Sequence, residues 1–149
     1  MTQTHTPGTV PAIVLRRTYH VPRQRVFDAW TKPEMTAKFL RPDDGTSEAE
    51  MDVRTGGAYR ITMIQPDGER MIVRGTYRDV RAPERLSMTW SWEEDDPAEE
   101  HVSLLTLEFN EADGGTELVL THDQFASVES RDRHERGWTA IVDQLATVL

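Results

Sequence analysis

Between Glu48 and His122 apolar and polar residues alternate along the chain, and beyond His122 the apolar positions recur at spacings of three and four instead. A period of two marks strands with one buried face, and a period near 3.6 marks a helix with one buried stripe. The alternation predicts strands over 48–54, 57–65, 69–80, 85–92, 102–111 and 115–122. Their separators, Thr55-Gly56-Gly57, Pro66-Asp67-Gly68, Arg81-Ala82-Pro83 and Ala112-Asp113-Gly114-Gly115, are turn formers, short enough to imply antiparallel hairpins. Trp138, Ile141, Val142, Leu145, Val148 and Leu149 give the terminal helix its stripe. Upstream, Ile13 to His20 reads as a first strand. Pro22 opens a helix on which Val26, Phe27 and Trp30 share a face, and Pro33 restarts a second one toward Phe39. Residues 41–47 form a loop. The expected architecture is α+β: a curved antiparallel sheet of six or seven strands around a long C-terminal helix, with two short helices after strand one. Such a sheet gripping one helix is expected to leave a cavity between them.

Strand parity assigns the faces. Tyr59, Ile61, Met63, Met71, Val73, Tyr77, Leu86, Met88, Trp90 and Trp92 fall on the inner face. They are joined by Leu105, Leu107, Phe109, Leu118, Leu120 and His122 from the last two strands. Glu48, Glu50, Asp52, Arg60, Arg70, Arg74, Arg78, Ser87, Thr89 and Ser91 fall on the other, which reads as a solvated face with cross-strand pairing of acids and arginines.

Charge and composition narrow the partners. Lys and Arg number 17 against 26 Asp and Glu, a net charge of -9, which repels nucleic acid and anionic membrane. Cysteine is absent, excluding disulfides, thiolate nucleophiles and cysteine metal sites. The opening residues MTQTHTPGTVPA have neither the basic start nor the apolar run of a secretory signal, and no stretch is long and apolar enough for a membrane span. Residues 1 to 11 are expected to be a disordered tail and 12–149 one domain, in a cytoplasmic protein.

Chemistry is sparser. Tyr59, Tyr77, Trp90, Trp92, His122 and Trp138 give the inner face rings with polar tips, and Met63, Met71 and Met88 lend an adaptable wall. With Ile141 from the helix stripe and Arg17 from strand one, these form the expected ligand-lining set: Arg17, Tyr59, Met63, Tyr77, Met88, Trp90, Trp92, His122, Trp138 and Ile141. Plain core packing accounts for each of them singly. His122 reads either as a core-edge imidazole satisfied by a carbonyl or by Asp123, or as a pocket base. His134 lies four residues before Trp138 on the same helical face. Arg17 interrupts the inward series Ile13, Leu15, Tyr19, so its guanidinium needs a carboxylate partner or an acidic group on a ligand. Gly137, inside the helix, implies a close backbone approach or room for a ligand. The run EEDDPAEE at 93–100 reads as a solvated hairpin loop. Histidines at metal spacing, paired inward carboxylates, G-x-S-x-G and phosphate-binding glycine loops are all missing, so no metal, cofactor or catalytic residue is assigned.

The segments VFDAWTKPE (26–34), RTGGAYR (54–60), GTYRDVRAPERLSMTW (75–90), GGTELVLTH (114–122) and Gly137-Trp138 together resemble the activator of Hsp90 ATPase homologue 1-like family of the START and Bet v 1-like superfamily. The resemblance runs over residues 13 to 149 and implies the helix-grip fold. For function it implies a small hydrophobic ligand, aromatic or polyketide-like, in the cavity under the C-terminal helix. A cyclase or hydrolase-like activity in the same cavity is the alternative, and a chaperone-linked or other protein-interaction role the third. The Hsp90-type partner is discounted, because the separate amino-terminal domain of the eukaryotic co-chaperone has no counterpart here. Relatives also suggest a homodimer. Where many relatives carry a Trp-Trp-Gly-Pro-like run, this chain has Phe39-Leu40-Arg41-Pro42, so aromatic pocket roles are not carried over to that segment.

Overall fold

The structure, a computed structural model, describes residues 10–149. Strand β1 (Ile13–Tyr19) is followed by helices α1 (Arg23–Thr31) and α2 (Pro33–Phe39). Strands β2 (Thr46–Met51), β3 (Ala58–Ile64), β4 (Arg70–Arg81), β5 (Arg85–Trp92), β6 (Ser103–Ala112) and β7 (Gly115–Asp123) then lead into helix α3 (Val128–Ala146). The seven strands form one antiparallel sheet in the order β1-β7-β6-β5-β4-β3-β2. β1 crosses to the far edge, where it pairs with β7 from Ile13 opposite His122 to Tyr19 opposite Thr116.

The helices cover the hollow side of this curled sheet. Pro33 occupies the start of α2, where its missing N–H costs nothing. Pro22 sits one residue ahead of α1, as its cap. α1 presses Phe27 against Phe109 of β6, ring centroids 5.3 Å apart. α2 lies beside β2, where Ser47 donates to the Ala37 carbonyl at 3.0 Å. α3 is tied to the opposite edge: the Tyr19 hydroxyl donates to the Val142 carbonyl at 2.8 Å, and Arg17 pairs with Asp143. Gln144 of α3 donates to the Phe39 and Arg41 carbonyls, joining the two helical covers.

The parity assignment holds. Tyr59, Ile61, Met63, Val73, Tyr77, Leu86, Met88 and Trp90 are all buried, while Arg60, Arg74 and Arg78 face solvent. Two features of the sheet depart from simple alternation. A bulge between Tyr77 and Asp79 shifts the β4–β5 register by one, so that Val80 pairs with the inward Leu86. Ser87 and Ser91, expected on a solvated face, are buried. The acidic run is also more engaged than a free loop. Glu93 accepts from Arg60 and Glu100 from Arg74, so the run's two ends fold back on the arginine face. This also supplies counter-charge where Arg60 and Arg74 sit directly opposite each other across β3 and β4.

The expected tail at 1 to 11 falls, for residues 1–9, outside the described residues. The chain is held from Val10 onward: Val10 packs on the core, and the Pro11 and Ala12 carbonyls accept from Arg131 of α3. Among the described residues no helix is long and apolar enough to cross a membrane.

Candidate functional site

β5 carries Trp90 and Trp92 inward on alternate positions, β3 and β4 carry Tyr59 and Tyr77, β7 carries His122 one residue before its end, and α3 lowers Trp138 and His134 onto them. Their rings form one continuous run. Tyr77 meets Tyr59 at a centroid distance of 5.5 Å, Tyr59 meets Trp90 at 6.5 Å, and Trp90 meets Trp138 at 4.9 Å. Trp138 in turn lies 6.1 Å from Trp30 of α1.

Hydrogen bonding fixes the state of both histidines. An indole N–H can only donate. Trp138 Nε1 therefore donates to His122 Nδ1, at 2.9 Å, which leaves the imidazole proton on Nε2, 2.7 Å from Ser103 Oγ. Ser103 passes its own proton to the Trp90 carbonyl at 3.0 Å. His134 is the mirror case: Nδ1 faces the Ser130 carbonyl at 2.7 Å, and Nε2 accepts from Trp92 Nε1 at 2.8 Å. Both rings are thus neutral. Burial, reinforced by the neighbouring His134, pushes His122 down to about 3, and burial lowers His134 as well. His122 has no free lone pair with which to take a proton from a substrate. Its partners are Trp138 and Ser103 rather than Asp123.

Three inward donors have no acceptor among the described residues: Trp30 Nε1, Trp90 Nε1 and Tyr77 OH. Each belongs to a side chain at least 97% buried, Trp30 at 3% exposed, Trp90 at 2% and Tyr77 at 1%. Tyr59 differs, since its hydroxyl donates to the Thr89 carbonyl at 2.5 Å. Burial raises both tyrosines, so both hydroxyls stay protonated at neutral pH.

The structure brings Tyr59, Met63, Tyr77, Met88, Trp90, His122 and Trp138 together in the core, with Trp92 and Ile141 half-buried at its margin. It does not bring Arg17 there. The Arg17 guanidinium lies on the rim, 36% exposed, where Asp143 of α3 neutralises it. Gly137 has neither of its expected roles: it is exposed, and a methyl group built on it meets no described atom within 4 Å. Two concavities lie on other faces of the molecule. A groove of about 660 Å³ lies on the outer face over β2 to β5, floored by Gly75 and Tyr59 and edged by Glu50, Arg60 and Arg74. A second, of about 560 Å³, lies around His20 and Glu111. Under α3, Trp138 packs against the rings of Trp90 and His122, with centroids 4.9 and 6.0 Å away. Among the described residues no three histidines or carboxylates gather as metal ligands would.

Trp30, Ser103 and Phe125 were absent from the sequence-based set. Trp30 was visible as part of an apolar helix face. Phe125 carried no signal, because it reaches His122, 4.3 Å between centroids, only through the left-handed turn at Gln124 (φ 67).

The same architecture recurs in solved structures. A Chromobacterium violaceum protein is 25% identical and superposes with a TM-score of 0.83 over 91% of this chain and 94% of its own. The AHSA1 protein of Silicibacter pomeroyi is 24% identical, with a TM-score of 0.79 over 92% and 96%. CalU16 of Micromonospora echinospora is 24% identical, with a TM-score of 0.69 over 92% of this chain and 74% of its own. No curated protein matches the sequence. The family model for activator of Hsp90 ATPase homolog 1-like protein matches residues 20–149, so with its seven-stranded sheet gripping α3 this chain belongs to that family.

Proposed function

We propose that the protein binds a small, largely aromatic molecule between the inner face of the sheet and α3. The observation that carries this reading is the trio of buried donors, Trp30 Nε1, Trp90 Nε1 and Tyr77 OH, left without acceptors among the described residues in an interior whose polar His122, Ser103 and Tyr59 are already hydrogen-bonded. Buried polar groups are almost always paired, and an unpaired one costs about 1–3 kcal/mol. A ligand that supplies the acceptors recovers that cost. The rings pack on one another under α3, so a ligand there is admitted by rotamer changes of Trp90, Trp138 and Met88 or by an outward swing of α3 about its polar ties to β1 and α2. The adaptable thioethers of Met63 and Met88 favour the first route. Binding is preferred over cyclase or hydrolase-like turnover, because the lone pair of His122 is already committed to Trp138.

The test is thermal melting against flavonoids, aromatic polyketides, fatty acids and sterols. A ligand present at about 100 times its Kd adds roughly 2.7 kcal/mol, which raises the Tm of a domain this size by several degrees. If no compound in the panel raises it, the reading is wrong.

A further inference from the structure

The interior ring groups left with no partner among the described residues are weighted toward donors. Both indole nitrogens without partners are obligate donors. The acceptor nitrogens that the core does possess are consumed, His122 Nδ1 by Trp138 and His134 Nε2 by Trp92. Ser103 already accepts from His122 and donates to the Trp90 carbonyl. Tyr59 spends its proton on Thr89. Among the described residues the buried aromatic groups left with no partner at all are Trp30, Trp90 and the Tyr77 hydroxyl; the Tyr59 and Ser103 oxygens keep spare lone pairs but are already held in hydrogen bonds, and burial together with the charge of Asp52 keeps Tyr77 a protonated phenol.

Resting on the binding reading above, we infer that the ligand is acceptor-rich and donor-poor: a planar ring system bearing keto, quinone or ether oxygens rather than amines or hydroxyls. Such oxygens can take a proton from Trp90, Trp30 or Tyr77. An amine or ammonium group placed there meets the unpaired donors first and can replace its lost hydration only through the already engaged oxygens of Tyr59 and Ser103, the Tyr77 oxygen and the ring faces.

Three tricyclic probes of nearly one shape separate these cases: fluorene, with no polar group; 9-fluorenone, with one carbonyl; and 9-aminofluorene, with an amine. Binding is measured by equilibrium dialysis at neutral pH. Fluorenone should bind about three- to tenfold more tightly than fluorene for each hydrogen bond its oxygen accepts, and 9-aminofluorene more weakly than fluorene. Tyr77→Phe, Trp90→Phe and Trp30→Phe each keep a ring in place and delete one donor. At least one of them should bring the fluorenone-to-fluorene ratio close to one while fluorene itself still binds. Retained fluorene binding also shows that a variant has kept its fold. Equal affinities for fluorene and fluorenone, a preference for the amine, or a ratio untouched by all three variants would overturn the inference and leave the binding reading standing. If none of the probes binds while compounds from the broader panel do, the inference falls alone, and if nothing binds at all, both fall.

Discussion

Acidification should destabilise this protein well before its carboxylates begin to titrate, and His122 is the main reason. In the folded chain its pKa lies near 3, against an ordinary 6.5, because burial, reinforced by the neighbouring His134, disfavours the imidazolium. Unfolding releases the ring to water, where it binds a proton at its ordinary pKa. Above pH 6.5 the two states bind equally and nothing is lost. Between 6.5 and about 3 the unfolded state holds one extra proton, so stability falls as pH falls, by about 1.4 kcal/mol per unit. From well above pH 6.5 down to 4.5 that totals roughly 2.7 kcal/mol, a sizeable part of the 5–15 kcal/mol typical of a domain. His134, also lowered by burial, steepens the same slope. The lowered carboxylates, Glu93 and Asp79 held by arginines and Glu100 by the Glu94 backbone N–H and then Arg74, act in the same direction, but their losses begin only below their ordinary values of 4.5, 3.8 and 4.5. The window from 6.5 to 4.5 therefore isolates the histidines. Urea melts at half-unit steps across it measure the slope, and His122→Asn supplies the control, since its Oδ1 can accept from Trp138 without titrating. A wild-type slope under about 0.5 kcal/mol per unit would refute the reasoning, as would an undiminished slope in the variant.

Further expectations concern single positions. Gly137→Ala should stabilise by about 1 kcal/mol, raising Tm by a few degrees, because an exposed helical glycine with open space around it loses only backbone entropy; a lower Tm would contradict this. Gly75→Ala should do the opposite in the same measurement, since its Cβ would run into the Thr89 carbonyl across the sheet; overpacking of this kind typically costs about 1–3 kcal/mol. Trp138→Ala should cost about 3–5 kcal/mol in urea melts as the largest fully buried side chain, and a loss below about 1 kcal/mol would make α3 peripheral. Tyr77→Phe should leave the ligand-free protein as stable or more so, by up to about 1–3 kcal/mol, because it deletes a buried hydroxyl with no protein partner.

Much of this fold was legible because a period of two admits only two assignments. Alternating Met88, Trp90 and Trp92 with Ser87, Thr89 and Ser91 decides which set faces inward, and a one-residue slip would have buried the arginines. Parity could not reveal the bulge near Arg78, since an extra residue shows only once the partner strand is in register. It also states direction without stating volume: Tyr59, Trp90 and Trp138 were correctly sent inward, but whether they line a space or fill it depends on how closely α3 approaches. The histidine partners were hidden for a related reason. Trp138 stands 16 residues from His122, and Trp92 stands 42 from His134, separations that no local spacing encodes. Arg17 was readable as far as its need for a carboxylate, which Asp143 meets at the rim.

The run of rings has an optical consequence. All four tryptophans of the chain belong to it: Trp30 lies 6.1 Å from Trp138, Trp138 4.9 Å from Trp90, and Trp90 5.7 Å from Trp92. At such separations the indoles exchange excitation faster than they emit. Replacing one of them should therefore change the colour of the emission rather than remove a quarter of its intensity. The near-ultraviolet dichroism should be that of a coupled set, lost all at once when α3 leaves the sheet. Any quencher that reaches one indole should darken all four.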